Sequence, residues 1–104
     1  MKIKKLKKIE ILGTPFKIVW DQGSTDASFS YYEQLIRIGC EHIEKDPNYI
    51  FSLIMHEISE LLHVILSTRY RDGNIENNYK FFMDHKEFSN HNLLLSSYIT
   101  KFLI

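Results

Sequence analysis

Residues 52–69, SLIMHEISELLHVILSTR, constrain this chain more than any other stretch. They are an apolar run at helical spacing that also carries His56, Glu57, Glu60 and His63. Ionisable groups on a helix that otherwise packs into a core need compensation. An unpaired charge in an apolar interior costs several kcal/mol or shifts its pKa until it is neutral. A bound cation is one such compensation. Positions four apart lie one turn apart on the same helix face, with Cβ atoms about 5–6 Å apart. His56 and Glu60 can therefore aim an imidazole nitrogen and a carboxylate oxygen at one point. Glu57, next to His56, projects to the side, where a water activated by the ion would stand. His56-Glu57-Ile58-Ser59-Glu60 thus follows the H-E-x-x-H pattern with Glu in place of the second His.

The rest of the composition narrows the setting of this helix. A chain of 104 residues suffices for one domain with one modest core. The 13 Lys and Arg balance the 13 Asp and Glu, so no overall field favours nucleic acid or an acidic partner. A single cysteine, Cys40, excludes an internal disulfide and fits a reducing cytosol. The N-terminal MKIKKLKKIEILG lacks the apolar core of a signal peptide. No apolar run reaches the roughly 18–20 residues of a membrane span, because His56, Glu57 and Glu60 interrupt the best candidate. A small cytoplasmic protein with no membrane contact is expected.

Along the chain, Lys2, Lys4, Lys5, Lys7 and Lys8 read as the solvated leading edge of a strand. Ile9 to Leu12 and Phe16 to Trp20 form a hairpin about Gly13-Thr14-Pro15, with Phe16, Ile18 and Trp20 on one face. Residues 21–26, DQGSTD, are a loop by composition. Ala27 to Tyr32 and Leu35 to Ile38 are two further strands joined at Glu33-Gln34. Leu35 and Arg37 face one way, Ile36 and Ile38 the other. These strands make a small antiparallel or mixed sheet of three to four strands. Asp46-Pro47 then opens a helix, with Asp as cap and Pro at its first position. That helix should run to about Ser67. Residues 77–83, NNYKFFM, read as an extended edge segment. Asp84 and Glu87 have capping-box spacing, and a second helix should run from His85 to Phe102. Its inward residues are Phe88, Leu94, Leu95, Tyr98, Ile99 and Phe102. The fold class is α+β, a small sheet packed on two main helices.

Two helical ligands do not complete a metal site; catalytic zinc takes three protein ligands and keeps one open position. His85, in the first turn of the second helix, is the choice for the third ligand. Glu87 is better explained as the capping carboxylate, and His91 lies on a different face from His85. His63 is two turns beyond His56, about 10 Å along the axis, which argues against one shared ion. His63 and His91 read as partly exposed or hydrogen-bonded histidines.

The segments IRIG, LIMHEISELL and YKFFMDHKEF, in this order, resemble the small zincin-like metallopeptidase domains of phages and mobile elements, akin to the ImmA/IrrE group. The resemblance runs from about Lys8 to Phe102. It implies a zincin-like fold and a zinc hydrolase acting on a protein or peptide. It makes His56, Glu60 and His85 the ligands and Glu57 the general base. The departure is Glu60, where such domains usually carry His. A carboxylate donates negative charge, weakens the ion as a Lewis acid and admits harder cations such as Mn²⁺. The other reading is a catalytically inactive zincin-like module, a phage or mobile-element protein that binds a host protein through Tyr31, Tyr32, Tyr79 and Phe81. Nucleic-acid binding through the N-terminal lysines is disfavoured by the balanced charge.

Overall fold

Strict alternation in the first forty residues produces the sheet. The computed structural model describes residues 1–66, 69–71, 79–81 and 85–104; at 69–71, 79–81, 87 and 88 the description covers the backbone. Strand β1 (Lys8–Ile11) turns into β2 (Thr14–Asp21), and β3 (Ala27–Ser30) pairs with β4 (Leu35–Gly39). The strand order is β1-β2-β4-β3. Both hairpin pairs are antiparallel, while β2 and β4 run parallel, with Ile18 opposite Ile36 and Trp20 opposite Ile38. The sheet is therefore mixed and four-stranded, with β1 and β3 at its edges. The β1–β2 turn is Leu12-Gly13, both at positive φ, so Thr14 and Pro15 already belong to β2. Leu12 is a rare residue there, at a cost of about 1–2 kcal/mol. Its N–H donates to the Tyr98 hydroxyl at 2.8 Å, which ties the turn to the C-terminal helix.

Helix α1 (Pro47–Ile65) starts as expected: the Asp46 carboxylate accepts from Tyr49 N at 3.2 Å, and Pro47 needs no partner for an N–H. The expected end at Ser67 lies outside the described residues; the described helix stops at Ile65, with Leu66 as its cap. Ile50, Ile54, Ile58, Leu61 and Leu62 lie on its core face and are buried against Ile9, Ile11, Phe16, Ile18, Ile36 and Ile38 of the sheet. Burial of each such side chain stabilises by roughly 1.5–3 kcal/mol. Residues 69–71 and 79–81 form two short strands, β5 (Arg69–Arg71) and β6 (Tyr79–Phe81), paired antiparallel as a separate ribbon. Helix α2 (His85–Ile99) packs on α1 and tightens into a 3₁₀ turn, Thr100–Phe102. Asp84 and the Glu87 side chain, the expected capping box, lie outside the described residues.

The two ends of the chain strap together. Ile3 bridges Leu103, and Lys4 N donates to Phe102 O at 2.6 Å. Phe102 is buried edge-on to Trp20, whose indole N–H donates to Leu6 O at 2.8 Å. Among the described residues no helix is long and apolar enough to cross a membrane.

Gly39 closes the sheet beside α1. Its N–H donates to Asp26 O at 2.7 Å, and a Cβ built on it would collide with the backbone carbonyls of Asp26 and Ser24. Gly39→Ala is expected to cost about 1–3 kcal/mol. At roughly 4–8 °C per kcal/mol, a thermal melt reads the loss directly. An unchanged melting temperature would contradict this packing of the 21–26 loop.

Candidate metal centre

The apolar stripe of α1 decides where its polar residues point. With Ile54 and Ile58 locked into the core, His56 and Glu60 emerge away from the sheet. His56 Nε2 lies 3.2 Å from Glu60 Oε2, with the side chains 66% and 27% exposed. Glu57 behaves differently. It sits three residues after Ile54 and four before Leu61, on the core-facing stripe, and is buried. It is engaged there rather than left unpartnered. The sequence expectation had Glu57 projecting to the side; the structure buries the residue instead, with a carboxylate oxygen still within 4.8 Å of ligating atoms of His56 and Glu60.

Ligating atoms of His56, Glu57 and Glu60 all lie within 4.8 Å of one another. Zinc–nitrogen and zinc–oxygen bonds of about 2.0–2.2 Å place two tetrahedral ligand atoms roughly 3.3 Å apart. The 3.2 Å separation of His56 and Glu60 therefore fits one shared ion. One imidazole and two carboxylates form a donor set that also suits harder cations. The structure brings together His56, Glu57 and Glu60. It does not bring His85 into this group; that residue is exposed at the first position of α2.

His56 stands on a ridge between two clefts. One runs between α1 and β3, along Asp26, Ala27, Leu53 and Glu57. The other lies between α1 and α2, along Met55, Ser59, Glu60, His63 and Leu95. A second polar cluster borders the latter. The rings of His63 and His91 stack at 4.2 Å between centroids and 27° between planes, and both residues are buried. Ser59 Oγ is 3.1 Å from His91 Nε2. The other ring nitrogen of His91 is buried and finds no hydrogen-bond partner among the described residues.

This buried pair differs from the partly exposed histidines expected from sequence, although the hydrogen bond to His91 was allowed for. The signal was present. His91 precedes Leu94 and Leu95 by three and four residues and Tyr98 by seven, so it continues the inward stripe of α2. Of the aromatic candidates for a binding surface, Tyr32 is 95% exposed and meets Tyr31 edge-on at 5.9 Å. The side chains of Tyr79 and Phe81 lie outside the described residues. The chain matches no family model, no curated protein and no solved structure.

Burial of the His91 ring lowers its pKa below the ordinary 6.5. Between the depressed folded value and 6.5, the unfolded chain holds a proton that the native chain does not. Stability from this residue is therefore complete above pH 6.5 and declines as the pH falls below it. Denaturant melts from neutral to mildly acidic pH should show this decline, and His91→Phe should flatten it. An identical pH slope in the variant would remove His91 as its source.

Proposed function

We propose that this chain is a metal-dependent peptide hydrolase of a minimal zincin-like type, acting on a protein or peptide. The observation that carries the reading is the convergence of His56, Glu57 and Glu60 beside the edge strand β3. His56 and Glu60 would hold a divalent cation, Zn²⁺ or a harder ion such as Mn²⁺. The resemblance supplies His85 as a third ligand, and its position at the start of α2 makes that a separate test. When bound, the cation supplies Lewis acidity and lowers the pKa of water to about 7.

The remaining work falls to the chain itself. Glu57 accepts the proton of the attacking water on a carboxylate oxygen and returns it to the leaving amine. The residue is largely buried yet borders the cleft beside β3. An extended peptide laid along β3 by strand addition passes through the cleft of Asp26, Ala27, His56 and Glu57.

A second reading has its own support. All three residues of the group come from one helix, and His56 is largely exposed. That suits a zincin-like module that binds a host protein without cleaving it.

Protein purified without a histidine tag distinguishes the two. Metal titration followed by calorimetry should show one divalent cation per chain. His56→Ala and Glu60→Ala should each weaken it at least about tenfold, or 1.4 kcal/mol. Glu57→Gln should retain the metal and lose cleavage of a peptide library by about 10²–10⁴-fold. Equal cleavage by Glu57→Gln eliminates Glu57 as the base. Stoichiometric metal without any hydrolysis selects the binding module. His85→Ala with undiminished metal affinity removes His85 from the ligand set.

A further inference from the structure

We propose that the free edge of β1 is a docking groove for an extended acidic peptide segment. It is separate from the His56 centre and independent of any metal. Ile18 N donates to Lys7 O, and Pro15, opposite Glu10, has no N–H to give. The alternation of an antiparallel ladder then bonds Lys7, Ile9 and Ile11 to β2. It turns the N–H and C=O groups of Lys8 and Glu10 outward. β1 ends the strand order, and among the described residues no backbone bond meets these outward groups. A groove of about 530 Å³ runs beside them. Leu6 and Pro15 give it an apolar floor, with buried Ile9 beneath, while Lys4, Lys8 and Lys101 give it cationic walls.

The three lysines arrive from three parts of the chain: the N-terminal arm, β1 and the final 3₁₀ turn. Lys101 Nζ stands 5.5 Å from the centroid of the Tyr98 ring, but among the described residues no carboxylate neutralises any of the three. Lys8 lies directly opposite Lys17 across the β1–β2 ladder, and both are exposed. Like charges so placed are destabilising. Among the described residues the carboxylates within ion-pair distance of a basic group serve Arg37, His42 and His56, and no lysine. Glu10 is the single acid of the groove. Zero net charge for the whole chain thus conceals a locally positive edge. Lysines on a sheet edge also act as guards against unwanted pairing. Here they flank an open channel with an apolar floor instead of covering it. A partner strand alternating acidic and apolar residues satisfies the outward amides, the lysines and the floor at once.

The test uses the full chain and a short fluorescent peptide alternating Glu and Val, read by polarisation. Controls are its Lys-for-Glu counterpart, a version N-methylated at alternate amides, and a single-stranded oligonucleotide. The acidic peptide should bind while the basic and N-methylated peptides do not. The double variant Lys4→Glu with Lys101→Glu should weaken it at least about tenfold, as should salt raised to about 0.5 M. Both positions are exposed, so the variant's thermal melt checks that it is folded. Metal chelation should leave the affinity unchanged, which keeps this result distinct from failure of the hydrolase reading. Absence of binding would establish the lysines as guards and overturn the proposal. Equal binding of the oligonucleotide or the N-methylated peptide would reduce the groove to a charge patch. A concentration-dependent dimer lost in the double variant would give the edge to a second copy of this chain.

Discussion

Everything in this structure depends on how α1 is rotated about its own axis. Ile50, Ile54, Ile58, Leu61 and Leu62 are each at most 1% exposed, and they admit one azimuth against the sheet. At about 100° per residue, that azimuth places every polar residue of the helix. His56 and Glu60 fall on the side away from Ile54 and Ile58. Glu57 falls within the core stripe, and Ser59 and His63 face α2. A slip of one residue would set Ser59 or Glu57 in the place of Ile58, and interiors as closely packed as this do not tolerate it. The backbone positions of His56, Glu57 and Glu60 are therefore a by-product of hydrophobic packing.

The sheet serves that packing and, among the described residues, ends at β1 and β3 without a further paired strand. β4 lies between β2 and β3, buried on its inner face by Ile36 and Ile38. β3 sits beside α1, next to His56 and Glu57, while β1 lies at the far end of the sheet beside the strapped termini. The strap matters because it turns the lysine-rich arm into a wall. Ile3 and Leu6 pack on the core, which leaves the intervening lysines no direction but outward.

Much of this was legible in the residues. Period-two alternation located three to four strands and divided the faces of β2 and β4, because alternation reports burial directly. Asp46-Pro47 marked the start of α1, because a cap is a local interaction. What escaped was non-local or hidden by residue type. No periodicity distinguishes a parallel β2–β4 pairing from an antiparallel one, since both bury the same side chains. Leu12 at positive φ was unreadable because leucine is a poor residue for it, and Tyr98, 86 positions away, supplies the compensating bond. His91 sat on the apolar stripe of α2, but histidine does not announce itself as core. Within the candidate centre, the pairing of His56 with Glu60 followed from helix geometry alone. The placement of His85 depended on how two helices meet, and periodicity within each does not contain that.

The carboxylate at position 60 changes the electrostatic character of the centre. A helix bearing two histidines and one glutamate would carry one negative charge near the ion; His56, Glu57 and Glu60 carry two when ionised. Two carboxylates whose oxygens lie within 4.8 Å repel each other strongly where solvent is partly excluded. Glu57 is the more buried of the two, so it has the less water to screen it. A divalent cation would neutralise the pair, and harder ions gain more from this than soft ones. The His56 imidazole offers part of the same relief by approaching Glu60, but from an exposed position where screening keeps such a contact weak. One imidazole and two carboxylates so placed could hold a divalent cation. Glu60 in place of a histidine makes that donor set less purely zinc-selective.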